Sequence, residues 1–381
     1  MTQFARLGSR RRAAGMLEEA HARHANDKNQ QPPHEVSPLS GPISGLAEIP
    51  ELGPRATPSE QKRGADHNSG IATPIARRRV ADTELRVAPI ALGTSVFGWT
   101  LSSQASTDIL QRYRELGGNF IDTADSYSAG RSEHLIGTWM RQERCRDEIV
   151  LATKIGRNAD FHGLGAAGIA SAVEASLERL QTDRIDLLSF HYDDHDVELE
   201  ESLGAVDALI QAGKVRYLAA SNFSADRLLE ARVLAANGLP RFSVMQAHYN
   251  LLHRSQYEQT LAFVAQGQGL AVMPYFALAN GFLSGAYRSR NAIEPTTRGA
   301  RVAAHLTRRG ARVLGVMDRI SEDYDVALPT IAIAWLQAKK HICAPVVGVS
   351  GAEQLDAVMA ATDFTLSRSD TIDLDRASDG S

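Results

Sequence analysis

The chain has 381 residues, 43% hydrophobic and 23% charged, enough to bury a large core as one barrel or two smaller domains. A net charge of -4 gives no whole-protein case for binding nucleic acid or a membrane surface, and no apolar run approaches the ~20 residues of a bilayer-spanning helix. Two cysteines, Cys145 and Cys343, are too few for a disulfide framework, which points to a reducing, cytoplasmic setting.

Residues 1–78 read differently from everything after them. Eight of the 14 prolines fall there (Pro32, Pro33, Pro38, Pro42, Pro50, Pro54, Pro58, Pro74), charges are mixed and apolar periodicity is weak. Such a stretch buries too little surface to offset its ordering entropy, so a largely disordered extension is expected, with room for one short helix over 11–25. Arg10-Arg11-Arg12 is not followed by the apolar core of an export signal, and Glu18 and Glu19 break the acid-poor pattern of a transit peptide.

From Glu84 the texture changes. Glu84-Leu85-Arg86-Val87 alternates, and Ile90-Ala91-Leu92-Gly93-Thr94 ends in small residues, which predicts a capping hairpin and a first barrel strand. Apolar strands are then expected over 119–123, 149–153, 185–190, 216–220, 242–247, 271–275 and 342–348. Helices are expected over 104–116, 132–142, 168–181, 199–212, 224–237, 255–268, 309–323 and 328–339, with a last one over 351–361. Eight short apolar strands separated by helices imply parallel pairing through right-handed crossovers. Roughly 290 residues suits one α/β domain, a (β/α)8 TIM barrel over 79–366, leaving 367–381 as a C-terminal tail.

The stretch from Gly117 to Glu133 organises the rest. A buried strand gives out at Asp122, and Tyr127 follows in the turn before a helix that Ser132 can cap. Lys154 and His191 stand at the ends of two further strands. Barrel active sites gather at the carboxyl ends of the strands, so these four residues, distant in sequence, are expected to converge.

Phe120-Ile121-Asp122-Thr123-Ala124, then Tyr127, Gly130, Ser132 and Glu133, carry a family pattern. With Ala152-Thr153-Lys154, His191 and Ser221-Asn222-Phe223 following in order, the chain from about Thr83 to Leu366 resembles the aldo-keto reductases. The resemblance implies an enzyme that reduces aldehydes or ketones, a small-molecule carbonyl substrate, and NADPH as cofactor with NADH left open. It also implies roles. Tyr127 would donate the proton, Lys154 would supply the ammonium that eases its release, Asp122 would hold Lys154, and His191 would bond the carbonyl oxygen.

For the cofactor, the resemblance places Ser221, Asn222 and Gln246 on the nicotinamide carboxamide and Tyr275 against the nicotinamide ring. Leu278, Gly281, Leu283 and Gly285 would lie in the loop over the diphosphate. Gly348, Ser350 and Gln354 would meet the adenosine end. Three departures stand out: Phe276-Ala277 where Ser-Pro is usual, Ser350 where many NADP-dependent members have Arg, and the acidic run Asp193, Asp194, Asp196 beside His191. That run would disfavour anionic substrates if it faced the mouth.

Two other patterns are set aside. Gly163-Leu164-Gly165-Ala166-Ala167-Gly168 fits Gly-x-Gly-x-x-Gly but lies too far from a strand end for a dinucleotide fingerprint, and reads as a flexible loop. His191 and His195 have metal-ligand spacing, but no helix puts them on one face, so no metal site is expected. Two alternatives stay open: a regulatory nucleotide-binding protein resembling the aldo-keto reductase-like channel subunits, and a sugar or polyol dehydrogenase acting in the oxidative direction.

Overall fold

A computed structural model describes residues 75–379 apart from Glu294. The readings of residues 1–74, including the 11–25 helix, lie outside the described residues. The chain enters as an antiparallel hairpin of β1 (Arg78–Arg79) and β2 (Arg86–Val87). Eight strands follow: β3 (Ala91–Gly93), β4 (Phe120–Asp122), β5 (Val150–Ile155), β6 (Ile185–Phe190), β7 (Val215–Ser221), β8 (Phe242–His248), β9 (Ala271–Tyr275) and β10 (Val346–Val347). They pair in parallel in chain order, with β10 beside β3. At the remaining seam Val272 bridges Ile342, and the Cys343 amide donates to the Val272 carbonyl at 2.8 Å. The expected strand over 342–348 is therefore two pieces. Pro345 lies between them, lacking an amide to donate but accepting from Ala91 through its carbonyl.

Helices return each strand to the next, and their ends follow local chemistry. Ser102, Ser224 and Thr307 accept from the amides of Ala105, Arg227 and Gly310 at the starts of helices Ser103–Glu115, Ala225–Ala236 and Arg308–Tyr324. Pro329 sits in the first turn of Leu328–Gln337, where its missing amide costs nothing. The helix expected over 255–268 is wider at its start, a π turn over Tyr257–Leu261, before Ala262–Gln268.

Two layers of apolar side chains follow from the period-two alternation of the strands. Ile121, Leu151, Leu188, Met245 and Val272 face the helices. Phe120, Ala152, Leu187, Ala219 and Val244 face the axis, where they meet Val80, Leu85 and Val87 of the hairpin. The hairpin thus floors the amino end of the barrel, and its attachment begins ahead of residue 79. Ile75 lies against Gly117, the Arg77 guanidinium donates to Asn119 at 2.7 Å, and Arg78 donates to the Ile342 carbonyl.

The stretch expected as a C-terminal tail carries a helix, Arg368–Ala377. Ser367 caps it, Leu374 is fully buried, and Asp375 accepts from the Trp335 indole at 2.9 Å and from Lys339 at 2.7 Å. Its polar composition hides it from a periodicity reading, because ion pairs and a cap hold it more than an apolar stripe does. A further short helix, Thr297–Ala303, was also not expected.

Candidate active site

Above the apolar floor the same alternation brings up a polar inward layer: Asp122 on β4, Lys154 on β5, Ser189 on β6, Ser221 on β7 and Gln246 on β8. All five are buried. Register aligns them, with Lys154 opposite Ser189 and Ser221 opposite Gln246. The Lys154 ammonium donates to Asp122 Oδ2 at 2.6 Å and to the Thr123 carbonyl at 2.9 Å, and Gln246 donates to Asp122 Oδ1 at 2.6 Å. A buried ion pair is tolerated when its remaining valences are met, and here both carboxylate oxygens are. Burial works against the lysine charge, but Asp122 and then Tyr127 outweigh it and hold the ammonium above its ordinary pKa.

Tyr127 is delivered by the loop after β4. The β4–β5 pairing runs on past the strand, with Thr123 and Asp125 amides donating to the Ala152 and Lys154 carbonyls at 2.9 Å each. The chain then turns through left-handed backbone at Ser128, Ala129 and Gly130, and helix Arg131–Glu143 begins. Gly130, at φ +85, is required twice over, since a Cβ there would stand 2.6 Å from Arg179 Cδ. Ser132 does not cap the helix. Its hydroxyl joins Thr94 and Thr123, while buried Glu133 accepts from Thr153 at 2.6 Å and from Arg179 at 2.8 Å. The Gly-x-Ser-Glu motif therefore stitches the Tyr127 loop to β3, β4 and β5.

The four residues picked from the sequence share one end of the barrel. The Lys154 ammonium lies 5.2 Å from the centre of the Tyr127 ring, and the Tyr127 and His191 rings meet edge to face at 6.0 Å. Burial raises the Tyr127 pKa and the nearby Lys154 opposes it, leaving a net rise. Burial, then Lys154 and Arg157, push the His191 imidazole down to about 2, so it stays neutral and keeps one N–H to donate. His191 Nδ1 is buried with no hydrogen-bond partner among the described residues.

Around this centre lie the residues expected to meet a cofactor. Asn222, in left-handed backbone at φ 60, donates to the His191 carbonyl at 2.8 Å and to Ser221 at 3.1 Å, and accepts from the Tyr275 hydroxyl at 2.6 Å. Tyr275 stacks on His248 with centroids 5.5 Å apart. In the loop after β9, the amides of Gly281 and Leu283 donate to the Leu278 carbonyl and that of Gly285 to Phe282. With those amides engaged, what Gly281 and Gly285 could offer a diphosphate is close approach of small, left-handed backbone rather than free N–H groups, while Leu283 is buried. Gly281 and Gly285 have φ +100 and +78, and a Cβ on Gly285 would stand 2.7 Å from Leu328. Phe276, in place of the usual Ser, is itself left-handed at φ 53 and exposed. At the far end Gly348 sits beside β3, and Gln354 accepts from both the Ser350 amide and hydroxyl at 3.0 Å. A flat phenol ring, amide groups at two strand ends and a glycine loop suit a dinucleotide.

Three residues near the centre escaped the sequence reading. Ser189 has a buried hydroxyl with no hydrogen-bond partner among the described residues, and its place in the inward alternation with His191 was the available signal. Asp125 is fully buried, and neither carboxylate oxygen has a hydrogen-bond partner among the described residues. Burial, then Glu133, push it up to about 7. Asn158, also buried, donates to the Asp125 carbonyl at 2.8 Å. The acidic run is turned to structural use. Asp193 pairs with Arg227 at 2.9 Å, and Asp194 accepts from the Leu164 amide at 2.8 Å and the Asp196 amide at 3.1 Å. Asp194 thereby braces the Gly163–Gly168 segment, which lies between β5 and helix Ala166–Leu180, and runs into that helix.

A parallel eight-stranded barrel with this polar layer at its carboxyl end has the architecture of an enzyme. The model of the aldo/keto reductase family matches residues 89–379, and the chain belongs to that family of oxidoreductases. It is 32% identical to norsolorinic acid reductase B of Aspergillus parasiticus, covering 74% of this chain and 78% of that protein. It is 30% identical to aryl-alcohol dehydrogenase GME11368 of Pestalotiopsis microspora, with 77% and 80% covered. Aldo-keto reductase AMT2 of Alternaria alternata is 30% identical, with 78% and 89% covered.

Proposed function

We propose that this protein interconverts aromatic aldehydes or ketones and their alcohols, with NADPH or NADH as the hydride source and Tyr127 as the proton donor. The observation that carries the reading is the Lys154 ammonium, fixed 2.6 Å from Asp122 and 5.2 Å from the Tyr127 ring. The bound reduced nicotinamide supplies the hydride. The protein does the rest. A phenol is a poor acid near neutrality, and the adjacent ammonium stabilises the phenolate left when Tyr127 gives its proton to the substrate oxygen. Asp122 and Gln246 keep the ammonium in place, and neutral His191 donates to the same oxygen as negative charge grows on it. Ser221, Asn222, Gln246 and Tyr275 would hold the nicotinamide end, the Leu278–Gly285 loop the diphosphate, and Gly348, Ser350 and Gln354 the adenosine end.

The aromatic preference rests on the similarity to aryl-alcohol dehydrogenase GME11368 of Pestalotiopsis microspora. A panel of aromatic aldehydes assayed by nucleotide consumption, alongside fluorescence titration with each nucleotide, tests the whole reading. Tyr127→Phe is expected to lose about 100-fold or more in turnover while binding nucleotide nearly as before. Retained turnover removes Tyr127 from the acid role.

A further inference from the structure

Arg157 follows β5 just past Gly156, at the same end of the barrel as Lys154 and His191. The backbone there is left-handed at Gly156, φ +104, and the Ile155 carbonyl accepts from the His191 amide at 3.0 Å, which sets Arg157 alongside the end of β6. Its guanidinium lies 5.5 Å from the ring centre of Tyr192, the residue after His191. Its side chain is exposed and, among the described residues, has neither an ion pair nor a side-chain hydrogen bond. None of the aspartates nearest in sequence to that ring pairs with Arg157: Asp193 is taken by Arg227, Asp194 accepts from the Leu164 and Asp196 amides and from the Tyr192 hydroxyl at 3.4 Å, and Asp196 is exposed to solvent. Arg157 therefore stands at the carboxyl-end rim beside the residue that follows His191, and its positive charge also bears on Tyr127, His191 and Tyr275.

Lys154, the other cation here, is committed to Asp122 and the Thr123 carbonyl. Arg157, among the described residues, has no side-chain hydrogen-bond partner and keeps its donors to offer. We propose that Arg157 is a specificity-determining residue that binds a carboxylate on the substrate, so that the preferred substrates are carbonyl compounds carrying an acid group. A guanidinium presents paired N–H donors that match both oxygens of a carboxylate, and the Tyr192 ring supports its flat face. This rests on the reading of the site as a carbonyl reductase, and sets the class of substrate that site takes.

The test compares 3- and 4-carboxybenzaldehyde with their methyl esters, in the full-length protein and in Arg157→Gln. The wild type is expected to favour the acids in kcat/KM, chiefly through KM. The variant is expected to lose about 10- to 100-fold in the acid-to-ester ratio, the size of a lost charge-assisted contact. An unchanged ratio in Arg157→Gln overturns the proposal, even when both compounds turn over well. If neither compound is reduced, the proposed function fails instead. Isothermal titration of the nucleotide-loaded protein with terephthalate then still decides on Arg157: binding weakened about 10-fold or more in the variant supports it, and equal or absent binding in both proteins overturns it.

Discussion

Asp125 offers the sharpest test of how the Tyr127 loop is built. Its carboxyl group is fully buried without a hydrogen-bond partner among the described residues, and its pKa rises from 3.8 to about 7. A carboxyl group whose folded pKa exceeds its unfolded one binds more protons in the native state between those values. Stability is therefore lost as pH rises from about 4 to about 7. At about 1.4 kcal/mol per pH unit, the penalty is about 2 kcal/mol at pH 5 and about 4 kcal/mol at pH 8. Asp125→Asn keeps the shape and removes the ionisation. Urea unfolding of both proteins at pH 5 and pH 8 is expected to show the variant gaining roughly 2–3 kcal/mol relative to wild type between the two. A stability difference that is the same at both pH values would refute the assignment of a neutral, buried Asp125.

The remaining predictions concern the ion pair, the imidazole and the floor. Lys154→Met strands Asp122 as a buried charge and is expected to cost about 3–5 kcal/mol, with much of it regained in the Lys154→Met/Asp122→Asn double variant; thermal unfolding reads both. His191 has a folded pKa of about 2, so its contribution is intact above the unfolded value near 6.5 and fades as pH falls. Lowering pH from 7 to 5 is then expected to destabilise the wild type by about 2 kcal/mol more than His191→Gln, measured by denaturant titration. Leu85→Ala, in the hairpin that floors the barrel, is expected to cost about 2–5 kcal/mol in the same assay.

The barrel was legible because each strand-and-helix repeat writes its period plainly. Strands as apolar as Leu187-Leu188 on β6, and helix starts as clear as Ser224, leave little else for the chain to do. The convergence of Asp122, Lys154 and His191 followed from their places at strand ends. What did not follow was anything set by packing between distant segments. Ser132 reads as a cap but is drawn to Thr94 and Thr123, because a hydroxyl buried among threonines has a better partner than a helix amide. Pro345 split a strand that hydropathy alone draws whole. Asp193 and Asp194 read as a charged rim, and only the fold reveals that Arg227 and the Leu164 amide claim them.

The hairpin floor has a consequence for access. With Val80, Leu85 and Val87 filling the amino end, the barrel interior built by the described residues is a blind well, and whatever reaches Lys154 through it arrives from the rim where Tyr127 and His191 stand. Substrate, solvent and any amine-directed reagent share that single doorway, so a molecule lodged in it would shield the lysine from all three at once.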